Sequence, residues 1–280
     1  MPELPEVETI ARTLREGRGD GPPLPGRIIA SSTLLWERTL AIPAWAEFTA
    51  RLPGQEIQDV HRRGKFVVIP LSRDTLLFHL RMSGDLRVEV GTDAQGQPMP
   101  LAPHDRLAIY FTDGVRLAFN DARKFGRAWL TERPEEILGG LGPDPFDHDL
   151  TPARLYSMLQ SRHRQLKPLL LDQTFLAGLG NIYTDESLHL AGLHPNRLSD
   201  QLSQDQTNRL YQAICTILAE GIRRNGASID WVYRGGTFQN SFRVYQRTGE
   251  PCPVCGHPVE RIVVGQRGTH FCPICQPREV

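Results

Sequence analysis

Four of the five cysteines fall into two matching pairs, Cys252-x2-Cys255 and Cys272-x2-Cys275, with sixteen residues between the pairs. Each Cys-x2-Cys turn places two thiolates on one side of the chain, and two such turns complete the tetrahedron of a four-cysteine zinc site. A site of that kind leaves no coordination position open, so one structural Zn2+ is expected and the metal does no chemistry. Two disulfides or a redox pair are the alternatives. Disulfides fit poorly, because the opening MPELPEVETI is acidic and broken by proline, unlike a signal peptide. Cys215, in a long helical segment, reads as a small buried hydrophobe. Between the pairs, PVERIVV, the turn GQRG and THF form a β-hairpin too small to bury a core, so metal binding must supply its folding energy. The hairpin presents Arg267 to a partner, nucleic acid or protein. Lysine is the other residue type that stands out: Lys65, Lys124 and Lys167 are set against 29 arginines. Coding bias accounts for the ratio, yet lysine can give up its proton and arginine effectively cannot.

The elements that must position these groups are legible in outline. Val7, Ile10, Ala11 and Leu14 recur at helical spacing behind Pro5, with Glu6 and Glu8 near the positive helix end. From about Arg27 to Leu130 the pattern is strand-like. Leu76, Phe78 and Leu80 alternate with Leu77, His79 and Arg81, and RLAIYF and VRLAF flank a turn at Thr112-Asp113-Gly114. Short strands behind one helix predict a β-sandwich or barrel. Residues 137–149 are rich in Gly, Pro and Asp and mark a domain boundary. Beyond it TPARLYSMLQ opens with a threonine cap, PLLLDQTFLAGLGNIYTDESLHLAGL reads as helix, turn and helix, and TNRLYQAICTILAEGI is a third helix stopped near Asn225-Gly226.

Equal numbers of basic and acidic residues, 32 each, argue at first against a polyanionic partner. The balance is uneven, however: 18 basic and 22 acidic residues up to position 150, then 14 basic and 10 acidic. The second part carries a net +4, and the first concentrates cations at Arg62, Arg63, Lys65, Arg123 and Lys124. No apolar run approaches the ~20 residues of a membrane span, and a cytoplasmic protein is expected.

The motifs MPELPEVE, HRRGK at 61–65, HLRMSG at 79–84, NDARKFG at 120–126, LKPLLLDQ at 166–173, GLGNIYTDE at 178–186 and the closing QRGTHFCPICQ follow one another in an order that resembles the bacterial formamidopyrimidine-DNA glycosylase family. The resemblance implies an α+β fold. A β-sandwich catalytic domain with a leading helix would span 1–140, a helical helix–two-turn–helix domain 141–247, and a terminal β-hairpin zinc finger 248–280. It also implies removal of Met1 and attack by Pro2 on C1′ of a damaged nucleotide, with Glu3 moving protons and Lys65 serving β-elimination beside a phosphate. With Met1 attached, Pro2 is an amide without a nucleophilic lone pair. Arg267 matches the finger arginine of phosphate binding and δ-elimination. Asn181 matches a phosphate contact at a helix N-terminus, for which a simple helix cap is the local alternative. Glu186 matches an acidic position that is structural or substrate-orienting. His79, His104, Arg162 and Lys167 fall at or near DNA contacts, with a structural histidine the alternative for either His. Met82, Arg123 and Phe125 match residues inserted into the duplex when the damaged base is flipped out.

The resemblance therefore implies base-excision repair of oxidised purines in double-stranded DNA by a glycosylase and abasic-site lyase, acting as a monomer without an organic cofactor. Two alternatives stay open: the same chemistry on oxidised pyrimidines, as in endonuclease VIII, and a damaged-DNA-binding zinc-finger protein without catalysis. One departure bears on lesion choice. The span Gly226 to Gln239, where the family carries the loop that caps the flipped base, is several residues shorter and holds Asp230, Trp231 and Tyr233.

Overall fold

The structure is a computed structural model that describes residues 1–17, 21–93, 97, 99–228 and 235–278. The chain forms two compact units, one built mainly on Met1–Gly139, the other on Gly140–Ala227 with Gly235–Val280.

In the first unit α1 (Leu4–Glu16) starts where the sequence signals it. Glu3 holds the cap position, and its backbone N–H donates to Glu6 Oε2 at 2.8 Å. Gly17, in the left-handed conformation at φ 70°, closes the helix. Val7, Ile10, Ala11 and Leu14 make its buried stripe. Then follow β1 (Ile29–Leu34), β2 (Leu40–Ile42), α2 (Trp45–Arg51), β3 (His61–Arg63), β4 (Phe66–Pro70), β5 (Thr75–His79), β6 (Gly84–Val90), β7 (Asp105–Phe111), β8 (Val115–Asp121), β9 (Arg127–Thr131) and the short α3 (Glu135–Leu138). The strands make two sheets, ordered β1-β7-β8-β6 and β2-β9-β5-β4-β3. Every pair is antiparallel except β2 with β9. Both sheets and α1 feed one hydrophobic core, within which Phe78 of β5 meets Phe119 of β8 at 5.3 Å between ring centroids. This is the expected sandwich. The turn between β7 and β8 is Thr112-Asp113-Gly114, with Gly114 at φ 81°.

The alternation expected along β5 is only half right. Leu76 and Phe78 enter the core, but Leu77 and His79 are buried as well. The strand is central in its sheet, and its second face is covered by a cluster in which Phe66 meets both His79 and Trp129.

The second unit contains α4 (Pro152–Gln160), α5 (Leu166–Leu171), α6 (Asn181–Ala191), α7 (Gln204–Arg223) and the hairpin β10 (Glu260–Val264) and β11 (Arg267–Phe271). Thr151 caps α4 through its hydroxyl, as expected. Helix α7 begins three residues before Thr207, because Ser203 and Gln206 form a capping box there. It ends at Arg223, and the chain turns away through Asn225 and Gly226, both at positive φ. Helix α6 lies among α5, α7 and β11. Its residues from Ile182 to His189 are all buried, although five of them are polar or charged.

Gly126 sits where the loop after β8 turns back under Phe119. A Cβ at this position would lie 2.4 Å from Phe119 Cζ and 3.1 Å from Asp121 Oδ2. Because that ring is packed and buried, Gly126→Ala is expected to cost about 1–3 kcal/mol of stability, read as a lower urea midpoint at unchanged m-value.

Candidate active site and zinc hairpin

Pro2 and Glu3 are buried at the start of α1. Two side chains fix how β3 runs past that helix. Arg15 Nη1 donates to Val60 O at 3.3 Å, and Arg62 Nε donates to Glu8 Oε2 at 3.1 Å, nearer the helix start. The chain into β3 therefore runs antiparallel to α1. It carries the Gly64-Lys65 turn towards the end that holds Pro2 and Glu3. Lys65 is only 5% exposed. The unit thus gathers a carboxylate, an ammonium and the residue that becomes a secondary amine when Met1 is removed.

His79 ends the strand opposite Phe66, directly after Lys65. Its Nδ1 accepts the Arg81 N–H at 3.1 Å, so the ring proton of the neutral form belongs on Nε2. Burial, aided by the charges of Arg81 and Lys65, pushes the imidazole down to about 3. His79 is therefore uncharged at neutral pH and offers an N–H, not a cation.

Met82, Arg123 and Phe125 are exposed on two neighbouring loops. Asp121, 1% exposed, joins those loops. Its carboxylate accepts from the Ser83 hydroxyl, from Arg123 N at 3.2 Å and from Gly126 N at 2.7 Å. Arg123 Nη1 lies 3.7 Å from Met82 Sδ. Lys124 stands 3.9 Å over the Trp36 ring. His104, at φ 75°, is exposed beside Arg106.

In the second unit the hairpin turn is Gly265-Gln266, both at positive φ, as a two-residue turn requires. Arg267 follows it and is exposed. Arg162 is exposed on the loop after α4. The structure corrects the expectation for Lys167, which is fully buried. Its Nζ donates to Asp185 Oδ1 at 2.6 Å and to Gly268 O at 3.0 Å, so the ammonium braces the hairpin from inside and cannot face DNA. Asn181 is likewise no helix cap. Gly180 holds that position, and the Asn181 amide donates to the same Gly268 oxygen at 3.0 Å. Gln173 braces the preceding glycine loop, accepting from Gly178 N and donating to Leu179 O. Glu186 is structural. Buried completely, it accepts backbone N–H groups from Arg243, Val244 and Tyr245, while burial pushes its carboxyl up.

The four cysteine sulfurs lie within 4.8 Å of one another, with Sγ–Sγ distances of 3.8 Å for Cys252–Cys275 and 3.4 Å for Cys255–Cys272. A disulfide needs ~2.05 Å, whereas a tetrahedron of sulfurs at ~2.3 Å from zinc spaces them roughly 3.8 Å apart. Val254 N and Cys275 N each approach the sulfur at the start of their knuckle at 3.5 Å. The donor set and spacing fit one structural zinc.

Two residues that sequence motifs did not single out are thus central: Asp121 and Asp185, each a buried carboxylate gathering donors from distant segments. Asp185 lies four residues beyond Asn181, so helical spacing places the two on one face. Nothing local identifies the hairpin as what that face meets. Trp231, Asp230 and Tyr233 lie outside the described residues.

Three family models match consecutive parts of the chain: the formamidopyrimidine-DNA glycosylase N-terminal domain over 1–128, the formamidopyrimidine-DNA glycosylase H2TH domain over 141–232, and the zinc finger found in FPG and IleRS over 249–278. The formamidopyrimidine-DNA glycosylase of Protochlamydia amoebophila is 41% identical over 287 residues, covering 99% of this chain and 100% of that one. Its counterpart in Chloroflexus aurantiacus is 44% identical, covering 99% and 98%. Among solved structures, wild-type Lactococcus lactis Fpg with DNA containing N7-benzyl-Fapy-dG matches at TM-score 0.88 and 36% identity, covering 99% of this chain and 100% of that one. MutM with DNA containing carbocyclic 8-oxo-G matches at 0.87 and 36%, with the same coverage.

Two outcomes follow from the buried groups. Unfolded His79 takes a proton near pH 6.5 that the folded protein refuses until about 3. Its contribution to stability is complete above pH 6.5 and is lost as the pH falls towards 3. His79→Gln should therefore flatten the fall in stability over that window, measured by urea unfolding at stepped pH. Lys167→Met strands the Asp185 carboxylate and should cost roughly 3–5 kcal/mol, seen as earlier thermal unfolding of the zinc-loaded protein.

Proposed function

Because this chain belongs to the formamidopyrimidine-DNA glycosylase family, we propose that Pro2, freed of Met1, is the nucleophile with which it excises oxidised purines from double-stranded DNA. The protein is a bifunctional DNA glycosylase and abasic-site lyase of base-excision repair. Relatives solved with DNA carrying Fapy-dG, carbocyclic 8-oxo-G and an abasic site support purine lesions and a strand-cleaving continuation. The observation that carries the role of Pro2 is the convergence of Pro2, Glu3 and the Lys65 turn at one end of α1.

In this reading the Pro2 nitrogen bonds to C1′ and the glycosidic bond breaks, its electron pair leaving with the base, which takes up a proton. Glu3 hands a proton to the ring oxygen as the sugar opens, leaving an iminium at C1′. That cation draws electrons from C2′. Loss of the C2′ proton expels the 3′ phosphate, and loss of the C4′ proton then expels the 5′ phosphate. Water releases Pro2. Buried Lys65 serves the first elimination, and exposed Arg267 holds phosphate and serves the second. Neutral His79 adds an N–H donor, while Arg162 and His104 contact the backbone. Met82, Arg123 and Phe125, set as one unit by Asp121, fill the space vacated by the base. Asn181, aimed at the hairpin, contributes by holding Arg267 in place.

We assign residues 1–140 to catalysis, 141–247 to helical DNA binding and 248–280 to the finger. The chain acts as a cytoplasmic monomer without an organic cofactor. Among the described residues no helix is long and apolar enough to cross a membrane.

Borohydride trapping tests the nucleophile. Met1-free protein mixed with duplex DNA bearing 8-oxoguanine should give a covalent adduct whose mass maps to the N-terminal peptide. The same protein with Met1 retained should give none. A Met1-free preparation that forms no adduct with lesion or abasic DNA would refute the assignment, and a preference for thymine glycol would move the substrate to pyrimidines.

A further inference from the structure

Helix α6 carries a third polar residue in register with Asn181 and Asp185. His189 is four residues beyond Asp185, so it falls on the same face, and it is 3% exposed. Its Nε2 lies 3.3 Å from Sγ of Cys252, a residue that is itself 3% exposed. The other ring nitrogen, Nδ1, is buried and has no hydrogen-bond partner among the described residues. A bare Nδ1 is tolerable as an apolar-facing lone pair, whereas an Nδ1–H would be a stranded donor and would turn the Nε2 lone pair on to the sulfur. The tautomer that satisfies both ends carries its proton on Nε2, directed at Cys252. That sulfur also lies 3.5 Å from Val254 N.

The geometry points to His189 as a hydrogen-bond donor to the zinc thiolate of Cys252, one that retards metal release and electrophilic attack at that sulfur. Four thiolates around one Zn2+ leave a net charge of −2, held on the sulfurs. A donor at 3.3 Å draws part of that charge away from Cys252 and lowers its tendency to take up a proton or an oxidant. The bond also ties the knuckle to α6 at its C-terminal end. There the Gly192 cap lies against the Cys275 carbonyl, and Gln276 spans from Cys272 N to Leu193 O. His189 is a positioning residue for the metal and touches no reacting atom of DNA.

The test compares the zinc-loaded full chain with His189→Phe, which keeps a ring without a donor, and His189→Gln, which keeps a donor. Zinc transfer to a chromogenic chelator should run roughly 10–100-fold faster in the Phe variant and within about threefold of the parent in the Gln variant. Peptide mapping after limited alkylation should show Cys252 becoming the first thiolate modified in the Phe variant. Parental release rates in the Phe variant, or equal acceleration in both variants, would overturn the proposal. The unaltered protein provides an independent reading if the Phe variant does not fold. With cadmium in place of zinc, NMR should detect the His189 Nε2–H and its scalar coupling to the metal through sulfur. An Nδ1–H tautomer, or no coupling, would equally overturn it.

Discussion

The second unit depends on the burial of charge along one helix. Asp185 has no access to water, and it is tolerable there because Lys167, the His270 backbone N–H and the His270 ring all point at it. Lys167 and Asn181 then share the Gly268 carbonyl, next to Arg267. Glu186 meanwhile fixes residues 243–245. The hairpin has almost no core of its own: Val244 and Val259 pack with Cys252 and Cys272. Zinc folds its knuckles, and α6 aims it. Apolar packing could hold a hairpin of this size only loosely. A set of directional bonds centred on a buried carboxylate fixes the backbone that follows its arginine.

The first unit uses a similar device at a different place. Asp121 binds the loop of Met82 to the loop of Arg123 and Phe125, so the backbones that carry three exposed side chains are tied to one buried carboxylate. Such rigidity would suit the proposed insertion into a duplex, since any freedom these residues kept would have to be frozen on binding.

The balance of 32 basic and 32 acidic residues is explained by where the charges go. Many arginines are held by carboxylates within the fold, such as Arg62 by Glu8, Arg51 by Asp74 and Arg116 by Glu89. Among the described residues, Arg123, Arg162 and Arg267 carry no carboxylate partner, and each is exposed. A neutral total therefore coexists with exposed cations that no carboxylate holds, and Arg162 and Arg267 stand where the proposed phosphate contacts fall.

Much of this was determined by sequence alone. The zinc site follows from the spacing of Cys252, Cys255, Cys272 and Cys275, because a tetrahedral metal needs ligand pairs and a Cys-x2-Cys turn makes one. Helix α1 and the hairpin turn at Thr112-Asp113-Gly114 follow from local periodicity and turn chemistry. Motif order was enough to identify the family. What sequence could not decide was which charges face inward. Lys167 fell near a DNA-contacting position and proved to be an internal brace, Leu77 and His79 alternate with the core residues of β5 yet are buried as well, and Asn181, for which a helix cap was the local alternative, donates to Gly268 instead. Each outcome depends on a partner contributed by a distant part of the chain. A charged side chain's fate is set by the free energy of its surroundings after folding, and no local pattern carries that information.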